Sequence, residues 1–227
     1  MAEQSARADN SASRGATERA GKLARAYLEA LRAADAPGAY KIASGALAEG
    51  MSLSALYQQV IAPAMYEVGR LWEKGAITVA DEHLATALTH RVVAALRPPS
   101  SVGGPSGAVG GMPRAILAAV EGEQHALGLR MAADVLEDAG YQTIYLGADV
   151  PTGALLQAVD TFSPDLVGLS ATMPESRKLL EDAVARIRKG HPHLQLLIGG
   201  RASRSPRIDE GTPVEDLELL EERVRAA

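Results

Sequence analysis

A four-helix bundle followed by a parallel-sheet α/β domain is the architecture this sequence predicts. Three observations predict it. Apolar residues recur at three- and four-residue steps through residues 17–97, as on one face of a helix. A Gly-, Pro- and Ser-rich stretch, PPSSVGGPSGAVGGMP, then interrupts the pattern over residues 98–113. Beyond it, short and nearly continuous apolar runs alternate with amphipathic ones, the grammar of strands buried on both faces by helices.

The elements follow in order. Residues 1–16 lack periodicity and read as a disordered tail. Leu23, Tyr27, Leu28 and Leu31 mark a first helix, with Pro37 and Gly38 as its stop. A second covers about 39–48. Ser52 opens a long third helix carrying the stripe Tyr57, Ile61, Met65, Val68 and Trp72, which Pro63 is placed to kink. Thr78 with Asp81 resembles a capping box, so a fourth helix starts there and runs through Leu84, Leu88, Val92 and Leu96. After the linker come strands at about 114–120, 141–146, 165–170 and 194–198, with helices at about 126–139, after Pro151 and at 175–189, and a last helix at the C-terminus. Residues 114–227 therefore form a Rossmann-like, flavodoxin-like domain. Only GGRASRSPRIDE separates its fourth strand from the last helix, so the usual edge strand is expected to be missing.

Composition narrows the function classes. Of the 227 residues 47% are hydrophobic and 22% charged, and no apolar run reaches the roughly 20 residues that cross a bilayer. The N-terminus has no apolar core of the secretory kind and there is no cysteine, so a cytoplasmic location away from membranes is expected. A net charge of -5 disfavours direct nucleic-acid binding.

A ligand over the carboxyl ends of these strands would meet 121–128, then Gly147 and Ala148, then 170–172, then Gly199 and Gly200. A dinucleotide site would need Gly-x-Gly-x-x-Gly after the first strand, where EGEQHALG stands, and a phosphorelay receiver would need Asp where Ser170 stands. What the first loop contains is Glu123, His125 and Gly128. An imidazole is a good metal ligand, and a carboxylate two residues away can accept its second N–H and fix the tautomer. Gly128 leaves room for something bulky near the first helical turn. Alone, such a histidine is as readily a surface or capping residue.

Two further groups of residues extend the pattern. Ser170 and Thr172 stand after the third strand, and Gly199 with Gly200 after the fourth; in the bundle, Trp72 is followed after nine residues by Glu82 and His83. With Glu123-x-His125-x-x-Gly128, these make the chain resemble the cobalamin-binding domains of corrinoid proteins. It is most similar to the CarH-type light-sensing group, where Glu can replace the Asp of Asp-x-His-x-x-Gly. The resemblance implies that His125 is the lower ligand of cobalt. It implies also that Ser170, Thr172, Gly199 and Gly200 line a slot for the nucleotide tail of the cofactor. Trp72, Glu82 and His83 fall where that group covers the upper face of the corrin and leaves a pocket for 5′-deoxyadenosyl. Thr86 and Thr89 share the helical face of Glu82 by spacing.

The resemblance covers residues 20–200 and has departures. Only a short tail precedes the bundle where the light-sensing repressors carry a helix-turn-helix domain, so DNA binding does not carry over. Glu73 stands where the family tends to place a histidine that binds cobalt after illumination. The expected function is a cobalamin photoreceptor holding adenosylcobalamin and acting in signalling or transcription regulation through a partner protein, with a homo-oligomer as an option. It is not an enzyme. The alternative is a corrinoid carrier of methyl groups that uses methylcobalamin.

Overall fold

The computed structural model describes residues 2–97, 111–204, 208 and 210–226. The chain divides into two compact units, Met1–Pro98 and Pro99–Ala227. Of the linker expected at 98–113, only 111–113 lie within the described residues.

The first unit is helical: α1 (Ala2–Arg32), α2 (Ala36–Ala48), α3 (Leu53–Leu56), a π-helical turn (Tyr57–Ile61), α4 (Ala62–Glu73) and α5 (Val79–Leu96). Two expectations are corrected here. Helix α1 begins at Ala2, so residues expected to be irregular are helical, consistent with a segment rich in Ala and free of proline. Pro37 does not stop α1. It lies in the first turn of α2, where a missing N–H costs nothing, and Asp35 caps that helix by accepting the Gly38 amide. The chain leaves α1 through Ala34, at φ +55°.

The expected third helix is continuous but changes register ahead of Pro63. Proline has no N–H for the carbonyl four residues back, and the widened turn accommodates this, with the Ala62 amide bonded to the Tyr57 carbonyl. Thr78 and Asp81 form the reciprocal capping box. Tyr27, Leu31, Leu56, Tyr57, Val60, Ile61, Val68, Val92 and Val93 fill the core. Among them the Tyr27 hydroxyl donates to Thr89 at 3.4 Å, and burial pushes its pKa up to about 12.

The second unit is a sheet of five parallel strands in the order β2-β1-β3-β4-β5: β1 (Arg114–Val120), β2 (Gln142–Val150), β3 (Leu166–Ser170), β4 (Gln195–Gly199) and β5 (Thr212–Val214). Its helices are α6 (Leu127–Asp138), α7 (Thr152–Phe162), α8 (Arg177–Gly190) and α9 (Leu217–Arg225). Strand β3 is buried throughout and β1 at all but its first residue, as their unbroken apolar runs require. Ile116, Val167, Leu169 and Ile198 pack with Leu155, Leu180, Val184 and Ile187 of the helices. Each buried aliphatic side chain of this kind contributes about 1.5–3 kcal/mol.

The expected loss of the edge strand is also corrected. Strand β5 pairs with β4 through residues 212–214, and its central Pro213 is tolerated because an edge strand has one side without a pairing partner. Arg188 of α8 holds the approach to it. Its Nε and Nη2 donate to the Glu210 carbonyl at 2.8 and 2.6 Å, and its Nη1 donates to the Leu194 and Pro192 carbonyls at 2.6 and 3.3 Å. Among the described residues no helix is long and apolar enough to cross a membrane.

Replacing Arg188 by Ala removes donors from three backbone carbonyls. We expect Arg188→Ala to lower stability by about 1–3 kcal/mol and to speed amide exchange selectively at Thr212 and Val214. Unchanged exchange there, measured by mass spectrometry, would show that β5 is held by its ladder alone.

Candidate functional site

Strand β1 ends at Val120 and the chain turns at once. The Glu123 amide donates to the Val120 carbonyl at 3.0 Å, and Gly122 takes φ +79°, a value a side chain would disfavour. This turn drives Glu123 inward, where its side chain is 0% exposed, while the His125 side chain stays 58% exposed. The loop thus buries its acid and presents its imidazole.

Both carboxylate oxygens of Glu123 are used. Oε1 lies 2.6 Å from His125 Nδ1 and accepts the His125 amide at 2.8 Å. Oε2 accepts the amides of Thr172 and Met173 at 2.7 and 2.9 Å, from the loop that follows β3. Burial alone would push the Glu123 carboxyl up. The Met173, His125 and Thr172 amides and the His125 ring outweigh it and hold the carboxyl below its usual range. An ionised carboxylate can only accept, so Nδ1 is the nitrogen that carries the proton in this bond, and in the neutral imidazole Nε2 is the one with the lone pair. Among the described residues no three His, Asp or Glu side chains gather as a metal centre, so this imidazole would be a single donor.

The remaining residues singled out in the sequence fall into two groups. Gly128 is exposed in the first turn of α6, with nothing within 4 Å of where a Cβ would stand, so the space beside His125 is open. Ser170 is buried at the end of β3, and Thr172 reaches the site through its backbone N–H as well as its position. Gly199 and Gly200 end β4. A Cβ on Gly200 would lie 2.1 Å from the Ala171 carbonyl oxygen, and its φ is +89°, so contact within the sheet edge already demands glycine there.

In the helical unit the stripe that ends at Trp72 does not bury it. Tyr57, Ile61 and Val68 are enclosed, whereas Trp72 is 48% exposed. The Trp72 carbonyl accepts the Gly75 amide at 2.8 Å in the turn that ends α4, and Gly75 takes φ +67°. In the first turn of α5, Glu82 is held from two sides: Thr86 donates to Oε1 at 2.8 Å, and His83 Nδ1 lies 2.5 Å from Oε2. Thr89, though aligned with Glu82 by spacing, is fully buried and donates to Met65 Sδ at 3.2 Å. His83 and His90 are both exposed.

The sequence pattern did not single out Met173, Tyr145 or Asp149. Tyr145 Oη donates to the Ala126 carbonyl at 3.3 Å, the Asp149 amide donates to the Glu123 carbonyl at 2.9 Å, and Asp149 Oδ1 accepts the Gly122 amide at 2.7 Å. An amide such as that of Met173 carries no residue signature. Asp149 did have one, as a turn-forming residue inside the strand segment YLGADVP.

The chain is thus a two-part protein, a helical unit followed by a five-stranded parallel sheet with one carboxylate-bound imidazole presented beyond β1. Family profiles described as B12 binding domain match residues 23–97 and, in a second profile, residues 113–208. The chain belongs to the B12 binding domain family and is a cobalamin-binding protein. The HTH-type transcriptional repressor CarH of Myxococcus xanthus is 34% identical over 86% of this chain; the match covers 64% of the repressor, so the chain spans less than two thirds of that relative. Dimethylamine corrinoid protein 1 of Methanosarcina acetivorans is 26% identical over 69% of this chain and 73% of its own length. In fold, the structure of the Methanosarcina barkeri monomethylamine corrinoid protein superposes with a TM-score of 0.73 at 18% identity, covering 91% of this chain and 98% of that one.

Removing the Glu123 carboxylate leaves the Thr172, Met173 and His125 amides without their acceptor. Glu123→Ala should cost the apo protein about 2–4 kcal/mol in chemical denaturation. Because the carboxyl is held below its usual range in the folded chain, its stabilisation is complete at neutral pH and is lost as pH falls through that lowered value. The variant should therefore show a shallower loss of stability in acid than the parent, and parallel curves would contradict this assignment.

Proposed function

We propose that this chain is a light-responsive cobalamin sensor. It holds adenosylcobalamin in darkness and passes a change in conformation or assembly to a partner protein in transcriptional control. The observation that carries the reading is Trp72: an indole at the end of a buried stripe, itself half exposed, with a fixed carboxylate at Glu82 after the next turn. The 34% identity to the CarH repressor supports the same reading.

Each residue has a role in this proposal. His125 offers Nε2 as the lower ligand of cobalt, and Glu123 holds the ring in the tautomer that leaves that nitrogen free to donate. Gly128 keeps open the space that a corrin needs. Ser170, Thr172, Gly199 and Gly200 border the slot for the nucleotide tail. Trp72 supplies a flat apolar cover for the upper side, and Glu82, steadied by Thr86 and His83, accepts hydrogen bonds from a ribose or adenine. Adenosylcobalamin supplies a cobalt–carbon bond weak enough for visible light to break. With the adenosyl group gone, Trp72 and Glu82 lose the contacts that distinguish one position of the helical unit from another, and only such differential contacts shift an equilibrium. Glu73 cannot replace a histidine as a nitrogen donor, so water or a different side chain, with His83 and His90 nearest in sequence, takes the upper position in the light.

A second reading is a corrinoid carrier in methyl transfer. It is favoured by the similarity to dimethylamine corrinoid protein 1, and it requires methylcobalamin and an accessible upper side.

The deciding experiment loads the protein with adenosylcobalamin in darkness and follows the absorption spectrum and the elution volume before and after green light. The sensor reading expects photolysis faster than that of the free cofactor together with a change in elution. Photolysis at the free rate without that change would leave the carrier reading. His125→Ala should weaken cobalamin binding at least about tenfold and alter the cobalt spectrum; an unchanged spectrum and affinity would remove His125 from the site.

A further inference from the structure

The loop bearing His125 is gripped by the strands on both sides of β1. From the loop that follows β3 come the amides of Thr172 and Met173, which hold the Glu123 carboxylate. From β2 come Tyr145 and Asp149, and the strand is distorted where Asp149 makes its contacts.

Along β1 and β2 the register runs evenly from Arg114 opposite Gln142 to Leu117 opposite Tyr145, and then slips twice. Ala118 faces Gly147 and Val120 faces Val150, so β2 carries one extra residue in each interval. Gly147 in the first bulge takes φ +85°, as glycine readily does. In the second, Asp149 takes φ +55°, a left-handed conformation that costs most side chains and that Asp and Asn tolerate best. A glycine would adopt it with less strain. What the aspartate adds is Oδ1, which accepts the Gly122 amide at 2.7 Å, while its own amide donates to the Glu123 carbonyl at 2.9 Å. Two consecutive residues of the turn, Gly122 and Glu123, are thereby fixed, with one residue between them and His125. Tyr145 of the same strand holds the other side, its hydroxyl donating to the Ala126 carbonyl.

We propose that Asp149 is a positioning residue for the cobalt ligand: through Oδ1 on the Gly122 amide it sets the loop so that Glu123 and His125 meet with the proton on Nδ1. This rests on the reading of His125 as the lower ligand only for its consequence on cobalt; the effect on the imidazole belongs to the apo protein. Strained backbone held in place by surrounding bonds is commonly found at sites that need a fixed geometry. Here the strain falls on a solvent-exposed residue that contributes nothing to the buried core.

The test compares Asp149→Asn with Asp149→Gly. Asparagine keeps both the acceptor oxygen and the tolerance of positive φ. Glycine relieves the backbone and keeps the amide bond to Glu123, but loses the acceptor. In the apo protein, nitrogen-15 correlation spectra of the His125 ring report the tautomer directly. The parent and Asp149→Asn should show one tautomer protonated on Nδ1, and Asp149→Gly a mixture with a weakened Nδ1 hydrogen bond. Asp149→Gly should bind cobalamin about tenfold more weakly, and in nitrogen-15-labelled protein its reduced cobalt(II) form should show a smaller fraction with the two-line splitting of a histidine nitrogen-15 in the electron paramagnetic resonance spectrum. A single parental tautomer together with parental affinity in Asp149→Gly would overturn the proposal. If His125→Ala leaves the cobalt spectrum unchanged, the lower-ligand reading falls, and the ring spectra of the two Asp149 variants still decide whether Asp149 positions the imidazole.

Discussion

The candidate site depends on one buried carboxylate. Glu123 has no exposed surface and would be costly there as an unpaired charge, yet four hydrogen bonds to its two oxygens make it the point at which the loop after β1 and the loop after β3 are joined. Everything local follows from satisfying it. The turn at Gly122 delivers it, the amides of Thr172 and Met173 stabilise its charge, and its remaining capacity orients the imidazole. A shorter or neutral side chain would leave several donors unmet in the same small volume.

This explains why the site stands where the sheet order changes direction. Strand β1 has β2 on one side and β3 on the other, so its following loop is within reach of two neighbours. Two of the bonds to Glu123 come from backbone amides just beyond the end of β3, whose placement does not depend on side-chain rotamers. Phenol and carboxylate groups from β2 then complete the frame.

The parts legible in the sequence were those written in side-chain chemistry or in periodicity. Parallel strands buried on both faces read as apolar runs, the Thr78–Asp81 box read as a cap, and Glu123 with His125 read as a carboxylate–imidazole pair. The edge strand was missed because three residues around a proline carry no strand signal, and what secures them is an arginine on a different element. The start of α1 was missed because a polar helix without an apolar stripe looks like an irregular tail. Asp149 was missed because positive φ is a property of backbone geometry that most residue types conceal.

The π-helical turn ahead of Pro63 has a consequence for the rest of its helix. Successive residues of an α-helix are separated by about 100° around its axis, so a turn that takes in one extra residue shifts the phase of everything downstream by roughly that angle. Upstream, Leu56, Tyr57, Val60 and Ile61 lie against the core; downstream, the enclosed positions are Ala64 and Val68. Trp72 continues the four-residue rhythm of the sequence and yet emerges half exposed. A proline that forbids one hydrogen bond thus acts as an azimuthal gear, turning every position of α4, the indole nine residues later included, relative to the helix ahead of it.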